Sequence, residues 1–288
     1  MRILKVLCML SVTFFVVGAD AQTKTSSISG YHWVEVSYPG AQWTQILGLN
    51  DYGVVVGDYS DPGKNSEAFS FQNDAYTNIS YPGAKASSAD GINSLGTIVG
   101  SFLSSSNINH GYLDVAGTFS EIDFPGATGT GASGINTAGQ IVGWYGDSSG
   151  LEHGFLYESG TFTTVDFPGA TQTTAFGINT YGSISGTYYD AQDVSHGFLY
   201  SQGVFSTLDY PGASSTTAYG LNDHNDVVGW FISAQGVLNG FFWRDGNFFV
   251  ADLPKVTTQP TVINNSLQIA GWFSYERGFG FLATPTTH

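Results

Sequence analysis

His110, His153 and His196 recur at the same spacing as Asp123, Asp166 and Asp209. An imidazole beside a carboxylate can move protons or ligate a metal. Here the pair is repeated three times, with Glu67 and Ser80, and Asn239 and Asp252, in the same phase elsewhere. A catalytic group is needed once, whereas a structural brace is needed in every repeat, so the pairs read as cross-strand hydrogen bonds. The three histidines fall in different repeats, and no metal or other cofactor is expected. A second pattern is aromatic: Trp144-Tyr145, Tyr188-Tyr189, Trp230-Phe231 and Trp272-Phe273. Most such residues belong in a core. The sharper reading is a platform for sugar rings, with Trp144, Tyr145, Tyr188, Tyr189 and Trp230 as stacking faces and Asp147, Asp190 and Glu276 as hydroxyl partners. Acidic loop residues (Asp58, Asp61 and Glu67; Asp147 and Glu152; Asp190 and Asp193) suggest calcium. None has the spacing of a known calcium loop, which must supply six to eight oxygens, so solvated charge is the simpler reading. Glu276, Arg277, Glu35, His32 and Arg244 stand outside the repeat pattern. No nucleophile elbow, phosphate loop or zinc-protease motif accompanies them, and no residue earns a catalytic role.

The elements that position these residues follow from internal repetition. An aromatic-or-Leu, Pro motif, followed by Gly-Ala in five copies, places prolines at 39, 82, 125, 168, 211 and 254, at a constant interval. A second motif, Gly-[Ile/Leu]-Asn-x-x-Gly, places asparagines at 50, 93, 136, 179, 222 and 264, with the sixth copy degenerate because Leu267 replaces its turn glycine. Each copy reads as four short strands, A to D, rich in β-branched and aromatic residues and bounded by Gly, Asn, Pro or Ser. In the fourth copy they are expected at 174–179, 183–188, 196–200 and 204–210. Asn-x-x-Gly suits an A–B turn with a left-handed glycine, and pairs such as Gln202-Gly203 suit a two-residue C–D hairpin.

Four-stranded units of this length are propeller blades. The chain begins with an orphan D strand at 31–38 and ends with a C strand at 278–284 that lacks its D. The two ends complete one blade, which makes sense in a closed ring. The expectation is an all-β, six-bladed propeller of antiparallel blades, closed by the N-terminal strand. Tight A–B and C–D turns share one face. Variable B–C loops and the Pro-Gly links share the other, where ligand binding is expected.

Residues 1–21 read as a signal peptide: Arg2 and Lys5, an apolar run at 6–17, and the Ala19-Asp20-Ala21 cleavage pattern. A short linker at 22–30 then leads to a single propeller at 31–288. The only cysteine, Cys8, lies in the leader, so a secreted chain would be held by its core alone. Removal of Arg2, Lys5 and Asp20 with the leader leaves 6 Lys+Arg against 22 Asp+Glu. That excess argues against nucleic acid and anionic lipid as partners. The low charged fraction, 11%, and 38 glycines argue against helical bundles. The mature chain carries no further apolar run long enough to span a membrane.

The His-Gly-Phe and His-Gly-Tyr segments, with the two longer motifs, resemble the HAF-type repeats of bacterial extracellular proteins over all six copies. That resemblance implies export and a β-rich fold, and carries no activity or site residues. The functional expectation is a secreted, monomeric binding module for carbohydrate or another extracellular polymer or protein. The alternative is a carbohydrate-active hydrolase or lyase using loop-face carboxylates.

Overall fold

The computed structural model describes residues 30–253, 256–274 and 277–286. The leader and most of the linker lie outside these residues, as does Glu276. An isolated strand β1 (Tyr31–Val36) precedes five complete blades. The first blade is β2 (Trp43–Leu49), β3 (Val55–Ser60), β4 (Glu67–Gln72) and β5 (Ala75–Asn78). The second is β6 (Ala86–Ile92), β7 (Ile98–Leu103), β8 (Asn109–Val115) and β9 (Thr118–Ile122), and the third β10 (Gly129–Ile135), β11 (Ile141–Gly146), β12 (Glu152–Glu158) and β13 (Thr161–Thr164). The fourth is β14 (Gln172–Ile178), β15 (Ile184–Tyr189), β16 (Ser195–Ser201) and β17 (Val204–Thr207). The fifth is β18 (Ala213–Leu221), β19 (Val227–Ser233), β20 (Leu238–Arg244) and β21 (Asn247–Val250). The chain ends with β22 (Thr257–Ile263), β23 (Ile269–Ser274) and β24 (Gly278–Pro285), and β1 pairs antiparallel with β24 to complete the sixth blade. The protein is a six-bladed β-propeller with the expected latch. Among the described residues no helix is long and apolar enough to cross a membrane.

Each turn obeys its local chemistry. The C–D hairpins have both central residues at positive φ, as in Gln202 at 53° and Gly203 at 82°, so their twist matches that of the flanking strands. The Pro-Gly links are turns in which Ala41 N donates to Tyr38 O at 3.1 Å across a left-handed Gly40. The aromatic before each proline then stacks on a B-strand ring of the following blade: Tyr38 on Tyr59 at 3.5 Å, Phe124 on Tyr145 at 3.6 Å, Phe167 on Tyr188 at 3.7 Å. Its amide is held by a hydroxyl, as in Phe124 N to Thr130 Oγ1 at 3.1 Å. The motif is therefore a staple between neighbouring blades, burying apolar rings that would otherwise line an open seam.

The D strands are shorter than their apolar pattern suggests. In the fourth blade the ladder stops at Thr207. Leu208 N still reaches Gly197 O, but the next step is made by a side chain: Asp209 Oδ1 accepts from Gly197 N at 3.2 Å. Asp123, Asp166 and Asp252 do the same for Gly111, Gly154 and Gly240.

In the sixth A–B turn Leu267 occupies the left-handed position at φ 62°, where four other blades have glycine and the fifth has Asn225 at 60°. A leucine there is strained by about 1–2 kcal/mol. Leu267→Gly, which also loosens the unfolded chain, is expected to raise the urea midpoint slightly. A lower midpoint would mean that Leu267's packing against the sixth core outweighs its backbone strain.

Candidate functional site

Strand A of every blade carries a bulge that leaves one residue unpaired three positions before the motif asparagine, as at Ile46/Gly48, Ala89/Gly91 and Ala175/Gly177. The bulge places one unpaired residue per blade beside the axis: Leu47, Asp90, Ser133, Phe176, Tyr219 and Thr261. The glycine that follows brings adjacent inner strands into contact. A Cβ added at Gly134 would lie 2.6 Å from Phe176 O, and one at Gly91 2.9 Å from Ser133 O. Around the tight-turn end, the six motif asparagines close a ring. Asn50 Nδ2 donates to Asn93 O, Asn93 to Asn136, Asn136 to Asn179, Asn179 to Asn222, Asn222 to Asn264, and Asn264 to Asn50 O, all at 2.9–3.3 Å. A shallow depression of about 80 Å³ lies on the axis outside this ring.

Above the ring, in the first blade, the residues of one sheet face stay partly accessible while their neighbours are buried. In β2, Thr44 and Ile46 are buried and Trp43, Gln45 and Leu47 are not. The cross-strand partners of the Gln45 position are Asp58, Ser101, Trp144, Thr187, Trp230 and Trp272. These residues and those of the bulges line an axial channel. Phe176 and Tyr219, from the fourth and fifth blades, stack at 4.3 Å, and Trp230 lies 5.4 Å from Tyr219. The charges of Asp90 and Asp58 both push the Tyr219 hydroxyl to a higher pKa, after burial, which is the larger cause. The second and fifth blades are opposite one another in a six-membered ring, so these side chains converge across the axis.

Asp58 and Asp90 are the chemically distinctive pair. Burial, then the Asp90 charge, raises the Asp58 carboxyl to about 7. Burial raises Asp90 to about 6, against the opposing hydrogen bonds of Ser88 and Ser101. Ser88 and Ser101 are Asp90's side-chain partners, and Asp58 makes no side-chain hydrogen bond among the described residues. In the sequence Asp58 groups with Asp61 and Glu67, but folding disperses that set. Asp61 pairs with Lys64 at 2.7 Å. Glu67 accepts from Tyr59 Oη at 2.9 Å, on the other face of β3.

The eight sequence-derived candidates divide. Trp144 and Trp230 line the channel, and Tyr189 sits at its loop-side mouth, half-buried and paired with Gln172. Tyr145 and Tyr188 do not join them. They are held between the link rings and His153 or His196, and Tyr188 is buried. Asp147 and Asp190 organise their own B–C loops: Asp147 Oδ1 accepts from the Ser149 and Leu151 amides, and Asp190 Oδ1 from those of Gln192 and Val194. Their other oxygens approach His153 Nε2 at 3.5 Å and His196 Nε2 at 3.3 Å. Glu276 falls outside the described residues.

All three His–Asp pairs form, each with Nδ1 to Oδ2 at 2.7 Å. Among the described residues His110, Glu121 and Asp123 also bring potential ligand atoms within 4.8 Å of one another; both carboxylates are exposed and the imidazole is already bonded to Asp123. Asp90, Phe176 and Tyr219 are absent from the sequence-derived candidates. Their signal was the residue before the motif glycine, which changes from Leu to Asp, Ser, Phe, Tyr and Thr while its neighbours repeat.

Between pH 5 and 8 electrostatics give a pH dependence with one sign, because the lowered carboxyls Asp147, Asp190 and Asp226 lose their stabilisation only below that window. Asp58, Asp90 and Asp252, the last also raised to about 6 by burial, hold their protons more tightly when folded than their ordinary value near 4. Each therefore loses stabilisation as pH rises from about 4 to its folded value. Burial lowers His153 and His196, but the Asp partners on both ring nitrogens outweigh it and raise them. Their stabilisation is complete below about 6.5 and lost as pH rises through the folded value. Lowering the pH from 8 to 5 is expected to raise the thermal midpoint. Asp58→Asn should raise it at pH 8 by at least ~3 °C and shrink the difference between pH 8 and pH 5. A destabilised Asp58→Asn at pH 8 would show that the carboxylate is held by favourable contacts.

No protein-family model and no curated protein matches the chain. Solved structures do. A streptogramin B lyase aligns with a TM-score of 0.51 at 14% identity over 90% of this chain and 99% of that one. A triple-arginine mutant of AofleA from Arthrobotrys oligospora aligns at 0.54 and 11% identity, covering 90% and 89%. A Trypanosoma rangeli sialidase aligns at 0.50 and 8%, covering 89% of this chain and 59% of the other. The likeness is one of fold. At these identities the propeller ring is common to the neighbours, and the channel residues must be judged on their own chemistry.

Proposed function

We propose that this propeller is an exported binding module that recognises a carbohydrate, or another extracellular polymer, at the loop-side mouth of its axial channel. One observation carries the reading. The repeated positions are consumed by turns, staples and the asparagine ring, whereas the varied ones converge on the channel as indoles, phenyl rings, hydroxyls and two carboxyls. Aromatic faces suit the C–H surfaces of a sugar, and carboxylates and hydroxyls suit its OH groups. The B–C loops, which differ in length and charge, frame the mouth, so a ligand there can distinguish one blade from another. The fold neighbours, a streptogramin B lyase and a sialidase among them, are compatible with this chemistry and lend it no specificity.

The test is a glycan array probed with residues 22–288, followed by titration of the best ligand. Trp230→Ala and Trp144→Ala should each weaken binding at least tenfold while Tyr52→Ala, an exposed change on the opposite face, has no effect. Protection of the tight-turn face by ligand would end the proposal.

A second reading, hydrolase or lyase, is favoured by the convergence of two unrepeated acids with raised pKa values, since an acid that stays protonated near neutrality can donate to a leaving group. It predicts cleavage of the bound glycan, abolished by Asp58→Asn or Asp90→Asn. Binding without turnover favours the first.

A further inference from the structure

The channel holds two carboxyl groups and no cation. Among the described residues the Lys and Arg side chains are engaged elsewhere: Lys64 on Asp61, Lys85 on Asn107, Arg244 on Asp226 and Arg277 over the Phe279 ring. Buried carboxyls are ordinarily satisfied by donors or by a positive partner. Asp58 has neither, and Asp90 has two serine hydroxyls. A second, independent observation lies across the axis, beside the Tyr219 backbone. Thr187 occupies the register position of Asp58 in the fourth blade, is 5% exposed, and its hydroxyl has no hydrogen-bond partner. Ser185, two residues earlier on that face, donates to Tyr219 O at 2.6 Å, so Thr187 sits on the Tyr219 side of the channel. The remaining walls are π-faces: the stacked Phe176–Tyr219 pair and Trp230. Acids, an unused hydroxyl and aromatic rings in a space of low polarity are the components that hold an organic cation, through charge, hydrogen bonding and attraction of the cation to the ring faces.

We infer that the channel takes a protonated amine, seated between the Asp58 and Asp90 carboxyl groups and the Phe176, Tyr219 and Trp230 rings. The inference rests on the glycan reading above and narrows it to an amino sugar with a free amine. The N–H donors of an ammonium group match the acceptors that the Asp58 and Asp90 carboxyls offer. An N-acetylated sugar offers one amide donor and no charge, and a neutral sugar offers hydroxyls alone. Selection for the amine is therefore expected to come from the acids, while the rings supply affinity that any sugar can share.

The experiment is calorimetric titration of residues 22–288 with a glucosamine tetramer, its N-acetylated form and cellotetraose, and separately with butylammonium against 1-butanol. The glucosamine tetramer should bind at least tenfold tighter than either neutral oligomer. Asp58→Asn and Asp90→Asn should each remove most of that margin. Asp74→Asn, an exposed acid in a C–D turn, should leave it intact, separating a local site from the general attraction of an acidic protein. Butylammonium should compete with the tetramer and 1-butanol should not. Equal binding of all three oligomers overturns the amine inference and leaves the glycan reading standing. Binding of butylammonium that depends on Asp58, with no oligomer bound, supports the amine site and ends the glycan reading. A preference for the amine that survives both channel substitutions, or falls equally with Asp74→Asn, overturns the inference.

Discussion

A chain beginning at residue 38 is expected to lose its cooperative transition at the wild-type urea concentration and to unfold far earlier. The missing segment is not a tail. β1 pairs with β24 from Tyr31 opposite Pro285 to Val36 opposite Gly280, and the segment ends in Val36, which is 2% exposed. Trp33 packs edge-on against Phe273 at 6.0 Å, and Thr286 N donates to Gly30 O at 2.7 Å. Burying Val36 is worth roughly 2 kcal/mol and the partly buried Trp33 about as much again. Unpairing β24 adds to the loss, so at least about 4 kcal/mol of a total near 5–15 kcal/mol would go. The larger consequence is topological. Without its fourth strand the sixth blade no longer ties the two ends of the chain together, and the first and sixth blades are left with side-chain packing and the hydrogen bonds of Thr261, Asn264 and Asn265 to Ile46, Asn50 and Asp51. Adding a synthetic peptide of residues 28–39 should recover part of the midpoint. A truncated chain that unfolds at the wild-type midpoint would show that β1 does not close the ring.

Asn179→Ala should be the most damaging change at any single turn. The side chain makes four bonds at once: Oδ1 accepts from Tyr181 N and Ser183 N, and Nδ2 donates to Asn222 O and Asn225 Oδ1. Asn179 is 4% exposed, so alanine strands buried amide and carbonyl groups at about 1–3 kcal/mol each. Partial rescue by water at the turn leaves an expected loss of roughly 3 kcal/mol, or on the order of 8 °C in Tm. Asn65→Ala, an exposed asparagine, provides the control and should shift Tm by less than ~1 °C. Three of these four contacts recur in all six blades, and Asn136 makes its fourth to Gln140 Oε1, so Asn136→Ala should behave alike and Asn93→Ala, which loses three bonds, should cost somewhat less. A loss confined to one blade would argue that the ring of bonds is not cooperative.

Both predictions draw on features that were half legible. The asparagines were readable as turn residues, because Asn-x-x-Gly is a local instruction. Their second task, donation across to the next blade, was not, since it exists only once six turns face a common axis. The His–Asp pairs were legible as a brace because cross-strand register follows from a two-residue hairpin. The candidate site was legible only in part. Trp144, Trp230 and Tyr189 do lie along the channel, but Tyr145 and Tyr188 share their sequence pattern and belong to the staples instead. In a strand, adjacent residues face opposite ways, and which of the two faces looks toward the axis depends on how each blade is wedged against its neighbours.

What sequence alone determined here is whatever repeats: the 43-residue spacing of the Asn50 and Asn93 turns, the four-strand unit, the hairpin loops and the orphan strand that closes the ring. Those features rest on local backbone preferences and on alternation of apolar residues, and six copies of one message reinforce each other. Tertiary structure alone decided what does not repeat. Asp58, Asp90 and Tyr219 lie in three different blades, and neither their spacing nor their neighbours in the chain connect them. They meet because a bulge in the inner strand turns Asp90 and Tyr219 toward the axis, because Asp58 faces them from the second strand of the first blade, and because closure of the ring brings opposite blades within reach of one another.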